Sequence, residues 1–426
     1  MRNTRDWIDQ TNIYEVNLRQ YTEEGSFAAF AQHLPRLRDM GVETLWFMPI
    51  TPISQKEKKG TMGSYYACSD YTSINSEFGT MDDFKNLVNE AHAQGFRVII
   101  DWVANHTGWD HHWTKEHPDW YERDLYTGDF KRASGMDDII ELDFTHKDLR
   151  AAMIEAMKFW VINCDIDGFR CDLAFWVELD FWLEAIPKLN ALKPLFWLAE
   201  SDPLENPSYM QVFDASYSWT WMHHTKAFYE QKHLLSDLVH LLSRYQAAPG
   251  LVSWFTSNHD ENSWNGSEYE KYGPAALAFA VHSCTWPGIP LVYSGQELPN
   301  YKRLNFFDKD CIEWTGTFAL HEFYKTLLTL HHTHPALNAR ALVFNLPTSS
   351  ESRVMAYLRK SGDAEVIVLL NLSPDALTFD LLDSWLAGRY YDVFTGAAID
   401  LSETKSIELA AWGYRVLSKS VDNESV

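Results

Sequence analysis

The chain is short of basic residues. Its 426 residues include 36 Lys and Arg against 59 Asp and Glu, a net charge of −23. A surface this acidic offers no footprint for a phosphate backbone, which excludes nucleic acid as a partner. Cysteine is scarce too. Cys68, Cys164, Cys171, Cys284 and Cys311 are scattered, odd in number and without a Cys-x-x-Cys pair, so neither a disulfide framework nor a zinc site is indicated. No apolar run reaches the length that spans a bilayer. The opening "MRNTRDWIDQTNIYEV" lacks the apolar core of a secretory leader. The expectation is a soluble chain with no membrane partner, cytoplasmic, or secreted if a leader was removed. Internal repeats, low-complexity tracts and long linkers are also missing, and nothing in the sequence speaks to oligomeric state.

What is present is apolar and aromatic. Hydrophobic residues make up 46% and aromatic residues 15%, with 18 tryptophans. Most of these rings belong to a large core, although a flat indole face also suits the apolar patches of sugar rings. From about residue 12 to 335, β-branched and aromatic runs alternate with amphipathic helical stretches. The runs are "NIYEVNL", "ETLWFMPI", "FRVIIDWV", "IDGFRCDL", "LFWLAE", "VFDASYSW", "LVSWFTSN" and "IPLVYSG". Eight strands, each followed by a helical segment, predict an α/β fold of the parallel (β/α)8 TIM-barrel type. Its expected extent is residues 1–106 and 147–338. Residues 107–146, rich in Trp, Tyr, Asp and His, form an insertion after the third strand. Long ordered loops are usually functional, and this one leaves the face where barrel active sites sit. Residues 339–426 read as short strands between Gly, Asp and Ser turns, a C-terminal antiparallel β-sandwich domain.

The ends of the barrel strands carry an unusual load of acid. The third run ends in Asp101, followed by Asn105 and His106; the fourth carries Arg170 and Asp172. The fifth ends in Glu200 and the seventh leads into Asn258, His259 and Asp260. Strands are normally poor in such residues. An isolated Arg-x-Asp can be a structural ion pair at a strand end. Several acids gathered on one rim instead suit glycosidic bond cleavage, in which one carboxylate attacks the anomeric carbon and a second gives and later takes a proton. Arg170, on the same side of its strand as Asp172, is expected to hold that carboxyl low and ionised. The apolar "FWLAE" is expected to hold Glu200 protonated near neutral pH. A retaining pair requires the two carboxyls about 5–5.5 Å apart.

"DWVANH", "GFRCDLA", "LAES" and "FTSNHD" resemble, in order and spacing, four sequence blocks of the α-amylase family of glycoside hydrolases. "SYYACSDYTSINSEFGT" and "PGIPLVYSGQE" are similar to two further segments of that family. The resemblance implies a retaining enzyme that cleaves α-1,4-glucosidic bonds of maltooligosaccharides or starch. It makes Asp172 the nucleophile, Glu200 the acid/base and Asp260 the transition-state stabiliser. His106, His259, Arg170 and Tyr66 fall on sugar-binding and supporting positions. An α-glucan transglycosylase or a trehalose-synthase-like isomerase shares this set; a non-catalytic carbohydrate-binding relative would have lost one of the acids. Where many members have Lys-His after the nucleophile block, this chain has Phe175 and Trp176, and Trp176 is expected to offer a platform to an acceptor sugar. No cofactor is expected and no metal ligand is assigned. Calcium stays open through Asn105, which matches one calcium ligand of many members, while "YTEEGSFAAF" lacks their Asp/Asn-rich pattern.

Overall fold

A computed structural model describes residues 5–419. Eight parallel strands close into a barrel in chain order. They are β1 (Ile13–Val16), β2 (Thr44–Phe47), β3 (Arg97–Trp102), β4 (Gly168–Cys171), β5 (Phe196–Ala199), β6 (Ala215–Tyr217), β7 (Leu251–Trp254) and β8 (Ile289–Tyr293). Alternation divides each strand between two cores. Ile13, Trp46, Ile99, Leu198, Leu251 and Leu291 fill the barrel. Tyr14, Leu45, Ile100, Phe169 and Trp197 face the surrounding helices. Gly168 opens β4 because β5 passes so close that a Cβ there would lie 2.1 Å from the Phe196 carbonyl oxygen.

Helices between the strands start and stop where their chemistry dictates. Met81–Ala93 begins at a capping box in which Thr80 and Asp83 satisfy each other's backbone N–H. Lys147–Cys164 ends at Asp165 in a left-handed conformation. The run "FAAFAQHLPRLRDMG", with the pattern of one helix, instead forms Phe27–Ala31 and Leu34–Asp39. Pro35 explains the break: it lacks an N–H, and its ring would meet the carbonyl four residues back. Among the described residues no helix is long and apolar enough to cross a membrane.

The insertion after β3 is a small β unit at the end of the barrel where β3 finishes. Its base is an antiparallel pair, His106–Gly108 with Ile139–Glu141, so His106 already belongs to it. The C-terminal region packs a six-stranded antiparallel sheet against a two-stranded one, over a core that includes Leu358, Ile367, Phe379 and Ile407. It is fixed to the barrel by Arg359, which donates to the carbonyls of Thr285 (2.5 Å) and Asn338 (2.7 Å).

Candidate active site

Parallel register sets Asp101 of β3 directly beside Arg170 of β4. One residue beyond the ends of β4 and β5 stand Asp172 and Glu200, their backbones tied to the preceding strands by bonds to the carbonyls of Trp102 and Cys171 (both 2.9 Å). Arg170 is fully buried and serves three carboxylates. Its Nη1 lies 2.9 Å from both Asp101 Oδ1 and Asp172 Oδ1, and its Nη2 lies 2.8 Å from Glu200 Oε2. The Nη2 contact is an ion pair without good hydrogen-bond alignment. Nε donates to the Tyr217 hydroxyl of β6 (3.2 Å). Leu173, in a left-handed conformation at φ 40°, turns its N–H onto Glu200 Oε2 at 2.8 Å. Such a conformation in a branched residue is strained and persists where the surroundings impose it.

These contacts revise the expected electrostatics. Burial pushes the Asp172 carboxyl up to about 6; Arg170 pulls it back, while Asp101 and Asp260 add to the rise. Arg170 does not hold it below the ordinary range, because one guanidinium charge is shared among three buried acids. Glu200 is pushed further, to about 7, again by burial, against Arg170 and with Asp172 and Asp260. Burial thus lifts both carboxyls above their ordinary range, and their protons come off as those of one coupled cluster.

The opposite wall is built from His259, Asp260, Tyr66 and His106. His259 Nδ1 meets Glu15 Oε1 of β1 at 2.5 Å, and its Nε2 lies 2.7 Å from the Tyr66 hydroxyl and 3.3 Å from Asp260 Oδ2. Burial alone would lower the imidazole, but Asp260 and Glu15 outweigh it and lift His259 to about 9. As a cation it donates Nε2–H to the Tyr66 oxygen, and the Tyr66 O–H donates in turn to Asp101 Oδ2 at 3.1 Å. The Tyr66 ring lies nearly parallel to the His259 and Phe306 rings. His106 is the reverse case. Burial holds it down at about 4 and hence neutral, and its Nε2 has no partner.

Asp172, Glu200, Asp260, Tyr66 and His106 all face one cavity of about 400 Å³, with further walls from Trp264, Phe306 and the insertion. Arg170 and His259 stand behind this wall and act through their neighbours. Trp176 is not in the lining; it is half-buried just outside, edge-on to the exposed Phe175. Glu15 escaped the sequence reading, although an acid inside the buried run "IYEV" was the same signal that marked Asp101. Phe306 and Phe307 sit in a loop with no periodicity to announce them.

Two family models match this chain: the α-amylase catalytic domain over residues 9–135 and the maltogenic amylase C-terminal domain over residues 344–416. The fold superposes on a noncanonic maltogenic α-amylase, AmyB, from Thermotoga neapolitana. That TM-score is 0.89 at 28% identity, covering 97% of this chain and all of that one. In both regions, and in the whole fold, the chain is similar to the α-amylase family. An α-amylase from Lactobacillus plantarum is similarly close in structure, with a TM-score of 0.87 at 28% identity, over 98% of this chain and all of that one. Among curated relatives, α-amylase MalA of Haloarcula japonica is 27% identical over 401 residues. That match takes in 88% of this chain and 57% of the relative, so the chain spans little more than half of that protein's length.

Calcium, which the resemblance to the α-amylase family raises through Asn105, finds no three-ligand cluster of acidic or His side chains around that residue among the described residues. The Asn105 side-chain nitrogen lies 3.4 Å from His106 Nδ1, and the Asn105 backbone carbonyl accepts the Leu142 N–H. Among the described residues, the group of three acidic or His side chains close enough to share an ion is Asp39, His321 and Glu322, partly exposed on the outer helices. Asp39 there already accepts from Lys325 and His321, each at 2.8 Å.

Proposed function

We propose that this protein is a retaining hydrolase of α-1,4-glucosidic bonds in maltooligosaccharides and starch. Asp172 attacks the anomeric carbon while Glu200 delivers its proton to the leaving oxygen. Water then attacks the glycosyl–Asp172 ester, giving its proton back to Glu200. Asp260 and neutral His106 are placed to hold hydroxyls of the reacting sugar. Tyr66 offers its ring as a floor, and His259 fixes Tyr66 and Asp260 against each other. Nucleophile and proton both come from the chain, so the reaction asks for no cofactor or metal.

The observation that carries this reading is one guanidinium in contact with Asp172 and Glu200 at the ends of adjacent strands. Carboxyls bound to a single planar fork stand within reach of one bound sugar, as a division of nucleophile and acid/base roles between them requires. The test is a product time course from maltoheptaose and soluble starch with the wild type, Asp172→Asn and Glu200→Gln. Shorter maltooligosaccharides from the wild type alone support the reading. A heptasaccharide of unchanged size with a rearranged linkage would favour an isomerase.

Transfer to a second sugar is the other reading with an observation behind it. Phe175 and Trp176, on the turn leaving β4, give the region beyond Asp172 an aromatic face of the sort that receives an acceptor.

A further inference from the structure

Most of the cavity lining comes from one side of the barrel. Loops after β7, β8, β2 and β3, on either side of β1 in the closed barrel, supply Trp264, Phe306, Phe307, Lys59, Met136 and Asp138. From the turns after β4 and β5 come only Asp172, Leu173 and Glu200, and nothing from β6.

The walled half is also tied together. Lys59 Nζ lies 2.8 Å from Asp138 Oδ1, joining the loop after β2 to the insertion. Asp138 is buried, at 4% exposure, while the Lys59 side chain is 34% exposed, so the pair is shielded from its acid side alone. The same ammonium stands 5.8 Å from the centre of the Phe307 ring. Next to it, the Met62 N–H donates to the Phe307 carbonyl (3.0 Å), and Thr61 donates through N and Oγ1 to Asp308 Oδ1 (2.7 and 2.6 Å). Trp264 closes the sequence by packing on Phe306 and Phe307 at 5.2 and 5.7 Å.

Chemistry decides which end of the substrate meets this wall. Glu200 protonates the leaving oxygen, so the leaving sugar lies on the β5 side, in the open half. The glycone then lies in the walled half. At about 400 Å³, the cavity is near the small end of ligand sites and suits a short chain end rather than a threaded polymer. We infer that the Lys59–Asp138 pair, backed by Phe307, closes the donor end of the site, so that cleavage proceeds from non-reducing chain ends and releases a short product of one size. This inference rests on the α-glucan hydrolase reading above.

The experiment compares maltoheptaose with the same oligosaccharide capped by a 4,6-O-ethylidene group on its non-reducing glucose. The wild type is expected to release a single short product from open maltoheptaose from the first time point. It should cleave the capped substrate at less than about one-hundredth of that rate. Lys59→Ala should raise the capped-to-open ratio about tenfold or more and broaden the product sizes. Asp138→Asn, which preserves shape, should move both in the same direction even if Lys59→Ala does not fold. Comparable rates on capped and open substrates, or a spread of products from the outset, would overturn the inference while leaving hydrolysis intact. An unchanged ratio in both variants would overturn the role of the pair. Failure to cleave either substrate would overturn the hydrolase reading itself.

Discussion

Glu15 Oε1 lies 2.5 Å from His259 Nδ1, an acid of β1 holding the imidazole that braces Tyr66 and Asp260. Arg170 opposes the positive charge on His259, while Asp260 and Glu15 sustain it. Glu15→Gln keeps an acceptor and removes one of the two supporting charges. At pH 8 the imidazole nitrogen NMR signals of wild-type His259 should report the cation, and those of the variant the neutral ring. A fall in kcat/KM of about tenfold should accompany the change. An unchanged His259 titration in a folded Glu15→Gln protein would remove Glu15 from the account.

Asp172 at about 6 and Glu200 at about 7 predict a narrow bell for kcat/KM, with its apparent limits belonging to the pair. Activity falls below the first limit as the pair takes up a second proton, and above the second as it loses its last. The same shift carries a stability cost. Glu200 folded holds a proton that the unfolded chain has already released between about pH 4.5 and 7, so folding is opposed above that window and not below it. Glu200→Gln should therefore be inactive yet more stable than the wild type at pH 8, by up to about 3 kcal/mol. The gain should vanish at pH 4.5. Urea unfolding at the two pH values is the check.

Arg170→Met leaves Asp101, Asp172 and Glu200 without their shared cation. Removing one partner from a buried charge cluster costs about 3–5 kcal/mol, read as a lower urea midpoint at pH 7.5. The loss should shrink at pH 5, where protonation relieves the stranded carboxyls. A pH-independent loss would mean that packing, not charge, is the role of Arg170.

Trp176→Ala tests the acceptor face. Trp176 stands outside the cavity lining and is only half-buried, so the variant should fold. At high maltotriose concentration its ratio of transfer to hydrolysis products should fall further than its total turnover. A constant ratio would contradict an acceptor role.

The barrel was legible because alternation and strand–helix order are written in local sequence, and the rim acids because charged residues in such runs need a reason. Asp101, Arg170, Asp172 and Glu200 could be found one strand at a time. The depression expected of Asp172 could not be judged in that way. It depends on how many acids share Arg170 and how deeply all are buried, and both are set by closure of the barrel. The Lys59–Asp138 tie joins loops 79 residues apart with no pattern in either, and the Phe306–Phe307 wall sits more than 240 residues beyond Lys59. Only tertiary structure brings these together.

The central claim is that Asp172 forms a glycosyl ester opposite a proton donor that then activates water on the same face. Proton NMR of the anomeric region during the first minutes of maltoheptaose hydrolysis tests it most directly, before mutarotation mixes the products. The account predicts that the α-anomer of the released glycone appears first and the β-anomer grows in only as mutarotation proceeds. A β-anomer appearing first would contradict it.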